Sequence, residues 1–307
     1  MQPGAAPDAP EKSAPSDSPE RAPAPDLPHR RITFEYPPDF DPMWAPKFPE
    51  FAAAANGISL GMPYAEPQFI RAVSSTFDQL EPDLRERTEA YVRQETGHFT
   101  QHARLNTIVT ARYPGLRRVE RLLALNDAWV ERRSQRFRVA YAASGETISY
   151  GVARWTEARL GTLMDRADPV AATLFCWHLA EEIEHKSSTY DVFEATDGSR
   201  LRYAWSAIIG FTTIVFFAFL AALVQLHGEK RLRYPVCWYR LFKLGISMAF
   251  EVMPTLAVSA LPGHHPRHLV DPIFLPAWLG QYDPVTGTMP LWGSLPDGPS
   301  TAPGDAH

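Results

Sequence analysis

The chain has 307 residues, with 30 Lys and Arg against 35 Asp and Glu, which gives a formal net charge of −5. Hydrophobic residues make up 45% and charged residues 21%, a balance typical of a folded globular protein. The mild negative charge argues against nucleic acid as a partner. Two cysteines, Cys176 and Cys237, exclude a disulfide framework, a CxxC redox pair and a thiolate zinc site.

The two ends of the chain differ in composition from the rest. Eight of the 29 prolines fall in the first 28 residues, among Ala, Ser, Asp and Glu. Such a segment has almost nothing apolar to bury, so residues 1–32 are predicted to form a disordered tail. The tail has no basic start followed by an apolar run, which favours a cytoplasmic location over secretion. Residues 266–307 are again rich in Gly and Pro and are expected to be irregular.

The intervening segment, residues 33–265, is predicted to fold as one helical domain. Apolar residues recur at helical spacing and strand-like alternation is nearly absent. Pro114, Gly145 and Asp168 supply the predicted breaks. The expected helices cover 83–112, 115–142, 146–165 and 169–194. The fold class is therefore predicted to be an all-α bundle.

Two apolar stretches follow the predicted bundle helices, within about 202–261. Residues 204–226 carry no charge and would extend about 34 Å as a helix, enough to cross a hydrocarbon core. Burial by the bundle is the other interpretation, and the mean hydropathy of −0.23 favours it slightly. The second stretch, 241–261, contains Lys243 and Glu251 and is a poorer membrane candidate. Membrane association, if it occurs, is therefore predicted to involve residues 204–226.

Two segments share a Glu-x-x-His pattern with a further histidine on the same helical face. The first, QETGHFTQH, contains Glu95, His98 and His102; the second, WHLAEEIEHKS, contains His178, Glu182 and His185. A glutamate and a histidine one turn apart can both bind a cation beside the helix. Two such helices facing each other would form the halves of a two-metal site. His102 and His178 are interpreted as residues that support the ligands.

Di-iron and di-manganese bundles add one glutamate from each of two further helices. The sequence offers Glu66, in PYAEPQF, and Glu157, in ARWTEARLG. Two alternatives stay open: Glu66 before Pro67 could cap a helix, and Glu181 could replace Glu182 as the partner of the second helix. The predicted metal ligands, in ferritin-like order, are Glu66, Glu95, His98, Glu157, Glu182 and His185, and the predicted catalytic set is the last five.

From about Glu66 to Pro266 the chain resembles the predicted metal-dependent hydrolases of bacteria. The similar segments are AEPQFIRAV, QETGHFTQH, the helix around Glu157, WHLAEEIEHKSSTYDVF and LPGHHP, and the EEIEHK block is the most specific. The chain departs from the family pattern at Pro67, where a Gly-Glu-Arg-Phe start is expected. The resemblance implies a metal pair on a ferritin-like bundle, and the family name implies hydrolysis.

Four carboxylates and two imidazoles suit two divalent ions, with iron favoured and manganese or zinc as alternatives. The main hypothesis is a non-haem di-iron oxidoreductase or oxygenase that uses O2 to oxidise a small apolar or lipid-like substrate. The alternative is a two-metal hydrolase whose ions lower the pKa of a bound water. A third hypothesis is a non-catalytic metal-binding or iron-storage protein. The sequence contains neither a GxSxG nucleophile elbow nor a phosphate-binding glycine pattern, and it leaves the oligomeric state open.

Overall fold

The computed structural model describes residues 27–293, which fold almost entirely into helices. They are α1 (Pro49–Ser74), α2 (Pro82–Arg112), α3 (Leu116–Glu131), α4 (Gln135–Glu157), α5 (Leu160–Leu163), α6 (Pro169–His185), α7 (Ser188–Thr196), α8 (Arg200–Gly228), α9 (Pro235–Ala260) and α10 (Phe274–Leu279). Strand-like pairing among the described residues is limited to a bridge between Asp283 and Thr288. The predicted all-α class is confirmed. Most of the predicted tail, residues 1–26, and residues 294–307 lie outside the described part.

Four helices form the centre of the bundle and carry the chemistry. Helix α1 packs on α2 and α4, and α6 packs on α4 and α2, so that the four enclose a common interior. Helix α7 covers α4 and α2 at one end. Helix α8 packs on α1 and α4, and α9 packs on α4 and α8. The two apolar helices therefore form an added layer against α1 and α4.

The structure moves one predicted helix break. The break was expected at Gly145, but α4 runs straight through this residue. The chain turns instead after α3, and the Ser134 side chain accepts a hydrogen bond from the backbone N–H of Phe137 to begin α4. A serine at this position satisfies an otherwise unpaired N–H group of the first turn. Residues on both sides of Gly145 therefore share one helix.

Gly145 has a packing role within α4. A Cβ built on this residue would lie 2.3 Å from the ring of Phe69 on α1. Real carbon atoms do not approach this closely, so only glycine lets the Phe69 ring rest on the α4 backbone. Gly57 plays a similar role between α1 and α8, because its Cβ would lie 2.8 Å from the carbonyl oxygen of Ala218. Both contacts bring α1 close to its neighbours.

Helices α8 and α9 are each long and apolar enough to cross a membrane by length and composition alone. Only 33% and 28% of the residues in their most apolar windows are buried, so each helix packs through one face. The polar residue Gln225 of α8 belongs to the packed face. It donates to the backbone oxygen of Ala53 and accepts from Asn56, both on α1. Burial by the bundle therefore accounts for only one side of these helices.

The segment before α1 lies against the bundle as an N-terminal strap, residues 27–48. Leu27 is buried, and Gln94 of α2 donates to the carbonyl oxygen of Pro28. Arg30 makes two hydrogen bonds to the carboxylate of Glu184 on α6. The predicted boundary of the tail at residue 32 is therefore too late, because residues 27–32 are held by these contacts.

Candidate metal centre

Six ionisable side chains from the four central helices converge in the interior of the bundle. They are Glu66 of α1, Glu95 and His98 of α2, Glu146 of α4, and Glu182 and His185 of α6, and all are buried. One ligand atom from each of Glu95, His98, Glu182 and His185 lies within 4.8 Å of the others. Glu146 closes the group, with its Oε2 atom 3.7 Å from Nδ1 of His185. Five of the six predicted metal ligands thus lie together.

Glu157 lies elsewhere, and its predicted role as a ligand is corrected to a structural one. Its carboxylate accepts hydrogen bonds from the backbone N–H groups of Ile273, Phe274 and Leu275, at the start of α10. Glu157 is eleven residues from Glu146 on the same helix, a rise of about 16 Å. This distance prevents both side chains from serving one metal pair. Glu157 therefore anchors the C-terminal segment to α4.

Glu146 is the carboxylate of the cluster that the sequence analysis missed, and a signal for it exists. It is the only charged residue between Arg138 and Arg154. A lone carboxylate in an uncharged, mostly small-residue helix is costly to bury unless it has a partner. The expected break at Gly145 concealed this pattern, since it placed Glu146 at a helix start, where a glutamate is ordinary.

His98 is oriented by contacts on both of its ring nitrogens. Nε2 lies 2.8 Å from a carboxylate oxygen of Glu181, which fixes the proton on that nitrogen. Nδ1 faces the cluster, 3.4 Å from Glu95 and 3.5 Å from Glu182. A histidine whose outer nitrogen donates to a carboxylate has its inner lone pair free to bind a metal ion. Glu181 thus supports the ligand His98 from outside the cluster.

His185 has the same arrangement from the opposite helix. Its Nε2 atom lies 2.7 Å from the side-chain oxygen of Gln94, and its Nδ1 atom lies 2.8 Å from Oε1 of Glu95. The two imidazoles therefore both direct Nδ1 towards the carboxylates. Their ring centroids are 5.5 Å apart, with the carboxylates of Glu95 and Glu182 near both Nδ1 atoms.

Most of the cluster's inward-facing atoms lack a hydrogen-bond partner of correct geometry. They are both carboxylate oxygens of Glu66 and Glu95, one each of Glu146 and Glu182, and Nδ1 of His98 and of His185. Buried polar atoms left in this state cost several kcal/mol in total. Hard and borderline donors of this kind suit divalent ions such as iron, manganese or zinc. The residues present therefore fit a metal pair.

Two of the carboxyl groups favour the protonated form when no cation is bound. Burial, and then the neighbouring Glu95, raise the pKa of Glu66 well above its usual value. Burial, and then the charge of Glu182, raise the pKa of Glu146 in the same way. These protons lower the repulsion among the clustered carboxylates. A cation can replace them.

The other charged groups of the cluster stabilise one another as ion pairs. Burial alone would raise the pKa of Glu182, but contacts with His178 and two other histidines hold it well below its usual value. Burial alone would lower the pKa of His185, but its contacts with Glu182 and Glu95 raise it to about 9. Burial alone would also lower the pKa of His98, but contacts with carboxylates, first of all Glu181, raise it well above its usual value.

His178 and His102, predicted to support the ligands, form a hydrogen-bonded chain that ends at the cluster. The Ser59 hydroxyl donates its single proton to Oδ1 of Asn106, so its oxygen accepts from Nδ1–H of His102. Nε2 of His102 is then an acceptor for Nδ1–H of His178, at 2.6 Å. Nε2 of His178 lies 2.9 Å from Oε1 of Glu182 and 3.4 Å from Oε1 of Glu66. The chain of hydrogen bonds thus ends at two carboxylates of the metal centre.

A large apolar cavity extends from this end of the site. Counted together with its part open to solvent, it has a volume of about 1160 Å³, and it lies between α1, α2, α4, α6, α8 and α9. His102, His178 and Glu182 form its polar end, and side chains such as Val152, Phe175 and Leu244 form its walls. A bound molecule would therefore place a polar group near the cluster and an apolar group between the helices.

The comparison with protein families agrees with the geometry. The family model of the predicted metal-dependent hydrolases matches residues 28–269, which include the ligand helices and both apolar helices. The resemblance stated from the sequence is therefore confirmed. Neither the curated proteins nor the solved structures contain a match to this chain.

Proposed function

Because the chain belongs to the predicted metal-dependent hydrolases, we propose that it hydrolyses a substrate that carries a long apolar group. The observation that carries this proposal is the cavity, whose walls are mostly apolar and whose ionisable lining residues are His102, His178 and Glu182. Such a shape would align a hydrocarbon chain with the helices and hold the reacting group at the metal centre.

The residues that would hold two divalent cations are the six of the cluster. They are Glu66, Glu95, His98, Glu182 and His185, with Glu146 beside His185; a ring nitrogen of His178 also lies within 4.8 Å of Glu66 and His98. Bound there, the ions supply Lewis acidity and lower the pKa of a water molecule, which makes a nucleophile at neutral pH. Glu181 and Gln94 keep the imidazoles in the orientation that binding requires.

His178 is the proposed base for the proton of the attacking water. Its Nε2 atom lies at the polar end of the cavity, 2.9 Å from Oε1 of Glu182, and its Nδ1 atom is hydrogen-bonded to His102. Burial and then the nearby His98 lower the pKa of His178, so the imidazole is neutral and able to take up a proton. The same Nε2–H can then donate to the leaving group.

Oxidation by a di-iron centre is the second candidate function. The observation that favours it is the donor set, in which four carboxylates and two imidazoles on four helices match the pattern of di-iron and di-manganese bundles. A cavity with mostly apolar walls also suits a hydrocarbon substrate.

One experiment separates the two functions. The protein loaded with iron, manganese or zinc is assayed with p-nitrophenyl esters from acetyl to dodecanoyl, in air and under nitrogen, with O2 uptake recorded. Hydrolysis predicts turnover that rises with chain length, needs metal and is unaffected by nitrogen. Val152→Trp, which narrows the cavity, should remove the preference for long chains, whereas Leu125→Trp on exposed α3 should not. O2 uptake by the iron form alone, without ester cleavage, would support oxidation instead.

A further inference from the structure

Helices α8 and α9 pack on each other, and both expose large apolar side chains; their exposed sides are here called the outer face. Its exposed side chains include Trp205, Phe216 and Phe219 on α8 and Phe242, Ile246 and Phe250 on α9. Phe250 is 78% exposed. Soluble proteins seldom expose so many large apolar residues in one area unless something covers them. We infer that the outer face docks on an anionic lipid bilayer and that the cavity takes its apolar substrate from that membrane; the second part rests on the proposed function.

The spacing of the exposed residues explains why they lie on one side. Residues 242, 246 and 250 recur every four positions, and residues 205, 216 and 219 recur at eleven and three, so each set follows one helical face. The opposite faces pack on the bundle. Each helix thus has one apolar face towards the bundle and a second apolar face towards the outside. A helix whose outer face met only water would be polar on that face.

The contacts of the inner faces favour docking on a membrane surface over crossing it. Gly57 of α1 lies directly against the backbone of Ala218, and Gly151 of α4 lies against Val252 of α9. Helices α1 and α4 therefore follow α8 and α9 closely, and they carry metal ligands. A crossing by α8 would draw these helices and their carboxylates into the hydrocarbon. Only the outer face can enter lipid at low cost.

The charge around the outer face matches an anionic lipid surface. The turn between α8 and α9 carries Lys230, Arg231 and Arg233, and Lys243 projects from the outer face itself. The acidic residue of this turn, Glu229, is already paired with Arg112. Cations beside exposed aromatic and aliphatic residues are typical of helices that lie in the headgroup region. This combination favours lipid over a second copy of the chain, which would bring the same cations.

The cavity reaches the outer face between the two helices. Phe219 belongs to both, since it lines the cavity and is exposed. Gly245 of α9 also lines the cavity, and a Cβ built on it would meet no atom within 4 Å. The opening therefore faces the side that we assign to the membrane. A hydrocarbon chain could enter the cavity from lipid without crossing water.

Flotation with lipid vesicles tests the inference on the full, metal-loaded chain. Vesicles of phosphatidylcholine alone are compared with vesicles containing about one third phosphatidylglycerol, at low and high salt. We expect the wild-type protein to float with the anionic vesicles and to be partly released by salt. Phe216→Ser with Phe250→Ser should reduce the bound fraction at least tenfold, and Lys230→Glu with Arg233→Glu should abolish the preference for anionic lipid.

The control is Leu125→Ser, which removes an exposed apolar residue of α3, 66% exposed and outside the outer face. It should float like the wild type. A wild-type protein that stays with neither vesicle overturns the inference, as does a dimer in solution that the double serine variant dissociates without any vesicle binding. Flotation requires no turnover, so a failed esterase assay would count against the proposed function and leave the docking result intact.

Discussion

Nε2 of His98 lies 2.8 Å from a carboxylate oxygen of Glu181, while the next residue, Glu182, approaches Nδ1 of the same ring at 3.5 Å. Two consecutive glutamates of α6 thus contact opposite sides of one imidazole. Glu182 lies within the cluster, and Glu181 lies behind the histidine, where it also accepts from Trp177 and Arg30. The neighbouring carboxylates therefore have different tasks.

The first prediction separates these two tasks. Glu182→Ala should lose at least one metal ion per chain and all activity, because its carboxylate contacts both ligand histidines. Glu181→Ala should keep both sites but bind metal about 10- to 100-fold more weakly, as expected when a residue that orients a ligand is removed. Metal content and affinity of the purified variants are the measurement. Glu89→Ala is the control, since Glu89 pairs with Arg85 on the exposed side of α2, away from the cluster.

The second prediction contrasts the two glutamates of α4. Glu146→Gln should lose metal, because a neutral amide replaces a carboxylate of the cluster. Glu157→Gln should keep the full metal content and lower the free energy of unfolding by about 1–2 kcal/mol, because it weakens three charge-assisted hydrogen bonds to the start of α10. Metal analysis and urea denaturation of both variants check this. Loss of metal in the Glu157 variant would contradict the assignment.

The third prediction concerns pH and metal together. The pKa of His185 is raised to about 9. Its protonated ring therefore contributes about 3 kcal/mol to the free energy of unfolding below about pH 6.5, and this contribution is lost as the pH rises to 9. The raised pKa values of Glu66 and Glu146 act in the same direction, since the folded state retains protons that the unfolded chain releases. The metal-free protein should therefore lose thermal stability between pH 6.5 and 9.

Metal binding should reverse this trend. Cations displace the protons from the cluster, so affinity rises with pH and the bound ions stabilise the native state by mass action. The difference in melting temperature between loaded and metal-free protein should thus widen from pH 6.5 to 9. Differential scanning calorimetry of both forms measures it. A constant difference, or identical melting curves after verified metal removal, would argue against a native metal pair.

The fourth prediction tests the N-terminal strap. Arg30→Met removes the ion pairs to Glu181 and Glu184 while it keeps an unbranched side chain of similar reach. Since the Arg30 side chain is largely buried, the loss should destabilise the protein by about 3 kcal/mol and expose residues 27–48 to proteolysis. Limited proteolysis followed by mass spectrometry locates the cuts. Arg31→Met is the control, because no ion pair of Arg31 contributes to the strap's contacts with α6.

Local spacing was sufficient to predict the part of the centre built by two helices. Glu95 with His98, and Glu182 with His185, stand one turn apart, and this periodicity is independent of how the helices pack. The carboxylates from the remaining helices have no such internal partner. Glu146 and Glu157 both occupy α4, and the choice between them depends on which turn of α4 faces the interior. That is a property of tertiary packing, which sequence periodicity does not contain.

The apolar helices show a similar limit. Residues 204–226 and 241–261 were recognised as helices that either pack or meet lipid, and the structure shows that one face of each does pack. Composition cannot separate the two faces when both are apolar. The hydrogen bonds of Gln225 to α1 identify the face of α8 that packs on the bundle.

The absence of a side chain at Gly145 has a consequence for the reactivity of the centre. Phe69, which rests on this glycine, follows Glu66 by three residues on α1, and Gly145 directly precedes Glu146 on α4. A methyl group at position 145 would meet this ring, so either the Phe69 side chain or α1 must shift. Both shifts begin within one turn of a carboxylate of the cluster. Gly145→Ala is therefore expected to disturb the metal centre without replacing any of its candidate ligands.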